Sequence, residues 1–290
     1  MKRVRHGRIE DLDAAGRSRG RERFSLLVDA DGLRTLQVTC EIDATELVRH
    51  VVQTADPRFR PREVYVRVAK GGRFTAAGWL CFEPEGVDIA TQSGSDGPQR
   101  RRVVPPQPVL AYGSHPLIVD GWIAAGFELA GPAVQPVREA YVSSYEFDGS
   151  GTVDLLPIAF DLEYLGREWL EVRAGRFECD HFRYRLDGSA IEHPPYETWV
   201  TTDGEFTLVQ ARTGAPTHYL YELVEFDGAN PDPSVEQTYD YAAWYDLIRR
   251  LQPQAAIMGK GPDVRWVGTE SGLLIVDGES LKTPGLASAL

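Results

Sequence analysis

The sequence is poor in cysteine. Three occur in 290 residues, Cys40, Cys81 and Cys179, at wide spacing, with no CxxC pair and no Cys/His ligand set. That excludes a disulfide scaffold and a zinc site of ordinary spacing, and it points to a reducing compartment. Long apolar runs are missing too. No stretch of about 18 apolar residues occurs, so no transmembrane helix is expected. The N-terminal "MKRVRHGRIEDLDAAGRSRGRERF" has no apolar core ahead of a cleavage site, and a cytoplasmic protein is expected. Positive charge is in deficit: 31 Lys and Arg stand against 43 Asp and Glu, a formal net charge of −12. An acidic surface repels nucleic acid and anionic membrane, so neither is an expected partner. Also absent are a Ser-His-Asp order, a phosphate loop, the HExxH metal spacing and internal repeats. No cofactor and no metal are implied.

What is present is a 42% hydrophobic fraction, enough for a substantial core, and much of it is arranged with period two. In "RTLQVTCEID" the set Leu36, Val38, Cys40, Ile42 alternates with Gln37, Thr39, Glu41, Asp43. "REVYVRVAKGGRFTAAGWLCFEP" reads as strand, Gly-Gly turn, strand, with Val64, Val66 and Val68 on one face. Three prolines make "QRRRVVPPQPVLAYG" an edge or a crossing loop. Further strands follow in "EAYVSSYEFDG", "AFDLEYLGREWLEV", "GRFECDHFRYRLDG", "YETWVTTDGEFTLVQART" and "THYLYELVEF". The expected fold is mainly β: an antiparallel curved sheet or barrel-like meander over residues 24–226, with a break between two lobes near 130–140. Residues 1–23 read as a basic leader, frayed or helical, and "DATELVRHVVQT" is helix-compatible.

The texture changes at Tyr239. "YDYAAWYDLIRRLQP" places Trp244, Ile248 and Leu251 at helical spacing, carries arginines in its last turn and stops at Pro253. With the apolar "QAAIM" it predicts a short helix-strand appendage over 227–275, one unit of a parallel α/β fold, and then a tail over 276–290.

Residues 226–272, "FDGANPDPSVEQTYDYAAWYDLIRRLQPQAAIMGKGPDVRWVGTESG", resemble the central part of the alpha-L-fucosidases of glycoside hydrolase family 29. The resemblance implies Asp227 as nucleophile and Glu270 as acid/base, with Arg265 and Trp266 nearby. A retaining glycosidase needs two such carboxyls about 5 Å apart. It also implies a barrel of roughly 250 residues of alternating strand and helix, whereas the text before Phe226 alternates with period two and lacks the family's histidine-rich segment.

The β-region offers a second candidate site. In "FECDHFRYRL", strand alternation puts Cys179, His181 and Arg183 on one face and Asp180, Phe182 and Tyr184 on the other. The His181 face is expected to line a cavity, with Asp180 in solvent. "YGSHPLIVDGW" reads as a Gly-bounded loop that offers Tyr112, His115, Asp120 and Trp122, with His115 and Trp122 closing the mouth, and "IEHPPYE" with His193 as a turn before a strand. His115 or His181 would act as general base and Tyr184 as donor, with Tyr112, Trp122 and Arg183 as ligand contacts. Residues 24–226 also resemble bacterial β-proteins of lipocalin-like or half-barrel fold, which implies a concave sheet around a small apolar or aromatic ligand. The expected function is such a binder, or a cofactor-free isomerase or lyase. The alternatives are a fucosidase-type hydrolase and a structural or interaction module.

Overall fold

The computed structural model describes residues 3–186 and 193–227, and the strand backbones of 256–260, 264–269 and 272–277. The chain opens with a run of hairpins: β1 (Arg3–Leu12), β2 (Ser18–Val28), β3 (Arg34–Ile42) and, after a 3-10 turn at Asp43–Thr45, β4 (Leu47–Ala55). β5 (Pro61–Lys70), β6 (Arg73–Glu83), β7 (Gly86–Ser93) and β8 (Gln99–Val103) continue it. A short β9 (Ala111–Gly113) and helix α1 (Leu117–Ala124) follow. Then come β10 (Val134–Val142), β11 (Leu156–Val172), β12 (Gly175–Arg185), β13 (Tyr196–Thr201), β14 (Leu208–Thr213) and β15 (Leu220–Phe226).

These fifteen strands make one curved, unclosed sheet in the order β8-β7-β6-β5-β4-β3-β2-β1-β15-β14-β13-β12-β11-β10-β9. Every neighbouring pair is antiparallel except β9 with β10. The chain therefore starts at the middle of the sheet, meanders to one edge, crosses to the other edge at β9 and meanders back to close on β1. The seam pairs Gly7 with Phe226 and Leu12 with Leu220.

Period-two patterning produces the core. In β4 the buried positions alternate strictly as Leu47, Arg49, Val51, Gln53 and Ala55. Leu36, Val38, Val64, Val66, Val68 and Leu80 join them in a core that also takes Ile118, Val119 and Trp122 of α1. The helix packs on β9, β13 and β14. A smaller cluster, Cys179, Trp199 and Val209, gathers Leu170, Val172 and Phe177.

Three expectations need correction. The basic leader is instead β1 and the start of β2, because its cations have acidic partners: Arg5 with Asp203 of the β13–β14 turn, Arg8 with Glu10 on its own strand and Glu225 on β15, and Arg19 with Asp11 on β1. The helix-compatible "DATELVRHVVQT" becomes the 3-10 turn and β4, since the three apolar inward positions Leu47, Val51 and Ala55 outweigh local propensity. The Gly-bounded loop holds α1. β8 does lie at an edge, as its flanking prolines require.

Toward the C-terminus, β16 (Ala256–Lys260), β17 (Val264–Thr269) and β18 (Gly272–Asp277) form a separate antiparallel sheet in the order β16-β17-β18. The expected parallel unit is not what these strands make. The expected helix around Trp244 lies outside the described residues.

Candidate functional site

Two cavities flank α1. The larger interest lies in one of about 520 Å³, walled by β1 to β4 on one side and by β10 to β13 and β15 on the other. Its rings include Tyr184, Tyr196, Tyr219, Tyr221, Phe160 and Phe147, and Tyr184 stacks on Phe160 with 5.3 Å between centroids. Among these rings sit polar groups on parities that elsewhere carry apolar side chains: Asp11 on β1, Glu22 on β2, Cys40 on β3 and Arg49 on β4.

Glu22 is 3% exposed. Its two oxygens accept from the backbone N–H groups of Leu117 at 2.8 Å and Ile118 at 2.9 Å, and Cys40 Sγ donates to Oε2 at 3.4 Å. It thus caps α1 from a neighbouring strand, supplying acceptors that Pro116, which has no side-chain cap, does not. Burial pushes the Glu22 carboxyl up to about 7, against the pull of those N–H groups and of Arg49. Burial also raises the Cys40 thiol well above its ordinary value, so it stays a neutral donor.

Asp120, on α1, accepts from the Tyr196 hydroxyl at 2.8 Å, while the Tyr184 hydroxyl donates to its backbone carbonyl at 2.9 Å. Burial raises its carboxyl to about 7, and the Glu22 charge adds to the rise. Asp11 is raised by burial to about 6 although Arg19 sits 3.0 Å away.

Arg49 is 3% exposed; its Nη2 donates to the Asp148 carbonyl, and its Nε has no hydrogen-bond partner among the described residues. His115 holds a left-handed backbone, φ 74°, and its Nε2 donates to the Ser144 carbonyl at 2.9 Å. Burial, then the Arg49 charge, pushes its pKa down to about 3, so the ring is neutral. Gly149, at φ 63°, lies over both: a Cβ there would meet the Arg49 guanidinium and come within 2.6 Å of His115 Cγ. Glycine is what lets this loop cover the pair.

The second cavity, about 640 Å³, is lined by Trp122, Phe127, Phe206 and Phe59 with Arg34, Arg58 and Arg60. Phe59 occupies an unusual place. The β1–β2, β2–β3 and β4–β5 hairpins share one turn, in which Asp13, Asp29 or Asp56 accepts from the backbone two and four residues on. The left-handed residue of that turn is Gly16 or Gly32 in the first two and Phe59, φ 62°, in the third. Edge contacts to Phe206 at 5.2 Å and Trp122 at 5.9 Å, with Arg34 4.2 Å above the ring, offset the strain.

Of the expected site residues, His115 and Tyr184 share the first cavity. Trp122 faces the second instead. Tyr112 is core: it is 2% exposed and its hydroxyl donates to the Asp154 carbonyl. His181 and Arg183 lie on the opposite face of β12 from Tyr184 and Phe182. There His181 stacks on Trp199 at 3.9 Å between Glu168 and Glu197, and Arg183 pairs with Glu197. The inward face goes to the parity with the larger aromatic rings, Phe182 and Tyr184, which bury more apolar area than a His and an Arg. Asp180 is not in solvent but 4% exposed and bound by Arg167 and Tyr164. Asp227 is exposed and ties the seam, its N–H donating to the His6 carbonyl and its Oδ2 accepting from His6 N–H at 3.0 Å. Glu270 lies outside the described residues, as do the side chains of Arg265 and Trp266 on β17. Glu22 and Arg49 had a signal that strand-by-strand reading passes over, a charge on the apolar parity of a strand, whereas Asp120 is one of the residues that the Gly-bounded segment offers.

No family model matches the sequence. A 70-residue segment is 47% identical to Alpha-L-fucosidase 1 of Arabidopsis thaliana, and it covers 24% of this chain and 14% of that protein. The chain thus spans only a small part of the length of the relative it matches. Among solved structures it is similar to a beta-barrel-like protein of domain of unknown function DUF1849 from Brucella abortus, with a TM-score of 0.48 and 9% identity over 77% of this chain and 96% of that one. A DUF1089 family protein from Pseudomonas aeruginosa gives a TM-score of 0.37 and 15% identity over 65% of this chain and 87% of that one.

Proposed function

We propose that the chain holds a small, mainly apolar or aromatic molecule in the cavity between α1 and the curved sheet. The observation that carries this is a 520 Å³ space walled by tyrosine and phenylalanine rings and furnished with a few buried polar groups, Glu22, Arg49 and Asp120. Apolar area gives such a site its affinity, and few polar contacts fix orientation. The three thiols are free, which suits a cytoplasmic setting. No helix among the described residues is long and apolar enough to cross a membrane.

The test uses the neutral dye N-phenyl-1-naphthylamine. The full chain should enhance its fluorescence saturably, with one site. Ala140→Trp, which fills the cavity from a buried position on β10, should abolish the enhancement. A wild-type protein that shows no saturable enhancement overturns the proposal.

Two catalytic readings have one observation each. The Asp120–Tyr196 pair, with a carboxyl at about 7, suits acid–base chemistry in a cofactor-free isomerase or lyase. The fucosidase-like segment suits a hydrolase using Asp227 and Glu270. Wild-type turnover of an aryl alpha-L-fucoside that is lost in Asp227→Gly would favour the hydrolase.

A further inference from the structure

We infer that the ligand of the α1 cavity is an organic cation, a protonated amine on an apolar body, whose charge sits against Asp120 within a ring of tyrosines. This rests on the cavity being a binding site and adds the sign of the charge it takes.

The charge arrangement selects that sign. Six carboxyls and four cations line the wall among the described residues, and each cation is matched. Arg19 bonds Asp11 at 3.0 Å. Arg21 lies between Glu41 and Asp43, and Lys70 is 3.5 Å from Asp148. Arg49 is near enough to Glu22 to draw that carboxyl downward. Asp120 has no cation. A carboxylate offers about four lone-pair sites, and the Tyr196 hydroxyl is the one donor to the Asp120 side chain among the described hydrogen bonds. The remaining capacity faces the cavity.

The surroundings suit an ammonium better than water or an anion. Tyr184 and Tyr196 stand 5.2 Å apart by ring centroid and both bond Asp120, through its backbone and its side chain. Tyr221 is close enough for the Asp120 charge to raise its pKa. Aromatic faces are negative and attract cations, most strongly where water is excluded. An ammonium here would meet one unneutralised carboxylate and two or three such faces. A carboxylate ligand would meet repulsion from both. The nearby imidazoles add no opposing charge, since burial lowers the pKa of both His115 and His193.

The experiment compares three probes of one skeleton, 4-phenylbutylamine, 4-phenylbutanol and 4-phenylbutyrate, by calorimetry on the full chain at pH 8. The amine should bind about tenfold or more tightly than the alcohol, and the acid most weakly. Asp120→Asn, which keeps an acceptor for Tyr196, should remove the preference for the amine over the alcohol, both measured on the variant. Equal affinities for amine and alcohol in the wild type overturn the cation assignment while the cavity reading stands. Tightest binding of the acid does the same. If none of the three binds, both fall. The wild-type comparison decides without the variant, so a folding defect in Asp120→Asn leaves the result readable.

Discussion

A carboxyl held at about 7 in the folded chain, against an ordinary value of 3.8, keeps its proton more tightly folded than unfolded. The stability that Asp120 contributes is therefore full below about pH 4 and is lost as pH rises to about 7, at about 1.4 kcal/mol per pH unit crossed. The groups facing it are Glu22 on β2, Tyr184 on β12, Tyr196 on β13 and Tyr221 on β15. Only Glu22 titrates in the same window, so the two carboxyls release protons as a coupled pair. His50, His115, His181 and His193 are all lowered from 6.5 and act with the opposite sign below that pH. The difference between Asp120→Asn and wild type cancels them. In urea titrations that difference should move in favour of Asn by about 2 kcal/mol between pH 5 and pH 8. A difference independent of pH would show that Asp120 titrates normally.

At the level of elements, β1 makes the sharpest test. It pairs on one side with β2 and on the other with β15, so removing residues 1–12 opens two edges at the middle of the sheet. The shortened chain should lose its cooperative thermal transition or aggregate, as followed by circular dichroism and sedimentation. A soluble, cooperative product would mean that the seam is dispensable. The same strand shows why part of the fold was legible and part was not. β3, β5 and β6 announce themselves because their inward positions are apolar. β1 does not, because its inward set includes Gly7 and Asp11 and its arginines look like a solvated run until their cross-strand acids are known. The cavity was hidden for a related reason: Glu22 and Arg49 break the alternation of their strands, and only the fold brings them to Asp120 on α1. The face of β12 was a choice between two parities, and ring size decided it against His181.

At the scale of the molecule, the fifteen-stranded sheet has all its hydrogen-bonded neighbours between residues 3 and 226. Its core draws on the same span. A chain ending at residue 230 should accordingly unfold in a single transition, and a molten product in calorimetry would show that the later segment covers part of the sheet. The pairing of the first strand with the fifteenth also has a consequence for synthesis. β1 leaves the ribosome ahead of β2 and pairs with it as soon as it emerges, but its other edge has no partner until Phe226 has emerged. At about 5–20 residues per second, that edge stays open for roughly 10 to 40 s. Throughout that interval the nascent chain offers a row of unpaired backbone groups, and a helper that shields strand edges would find its substrate there rather than in the finished molecule.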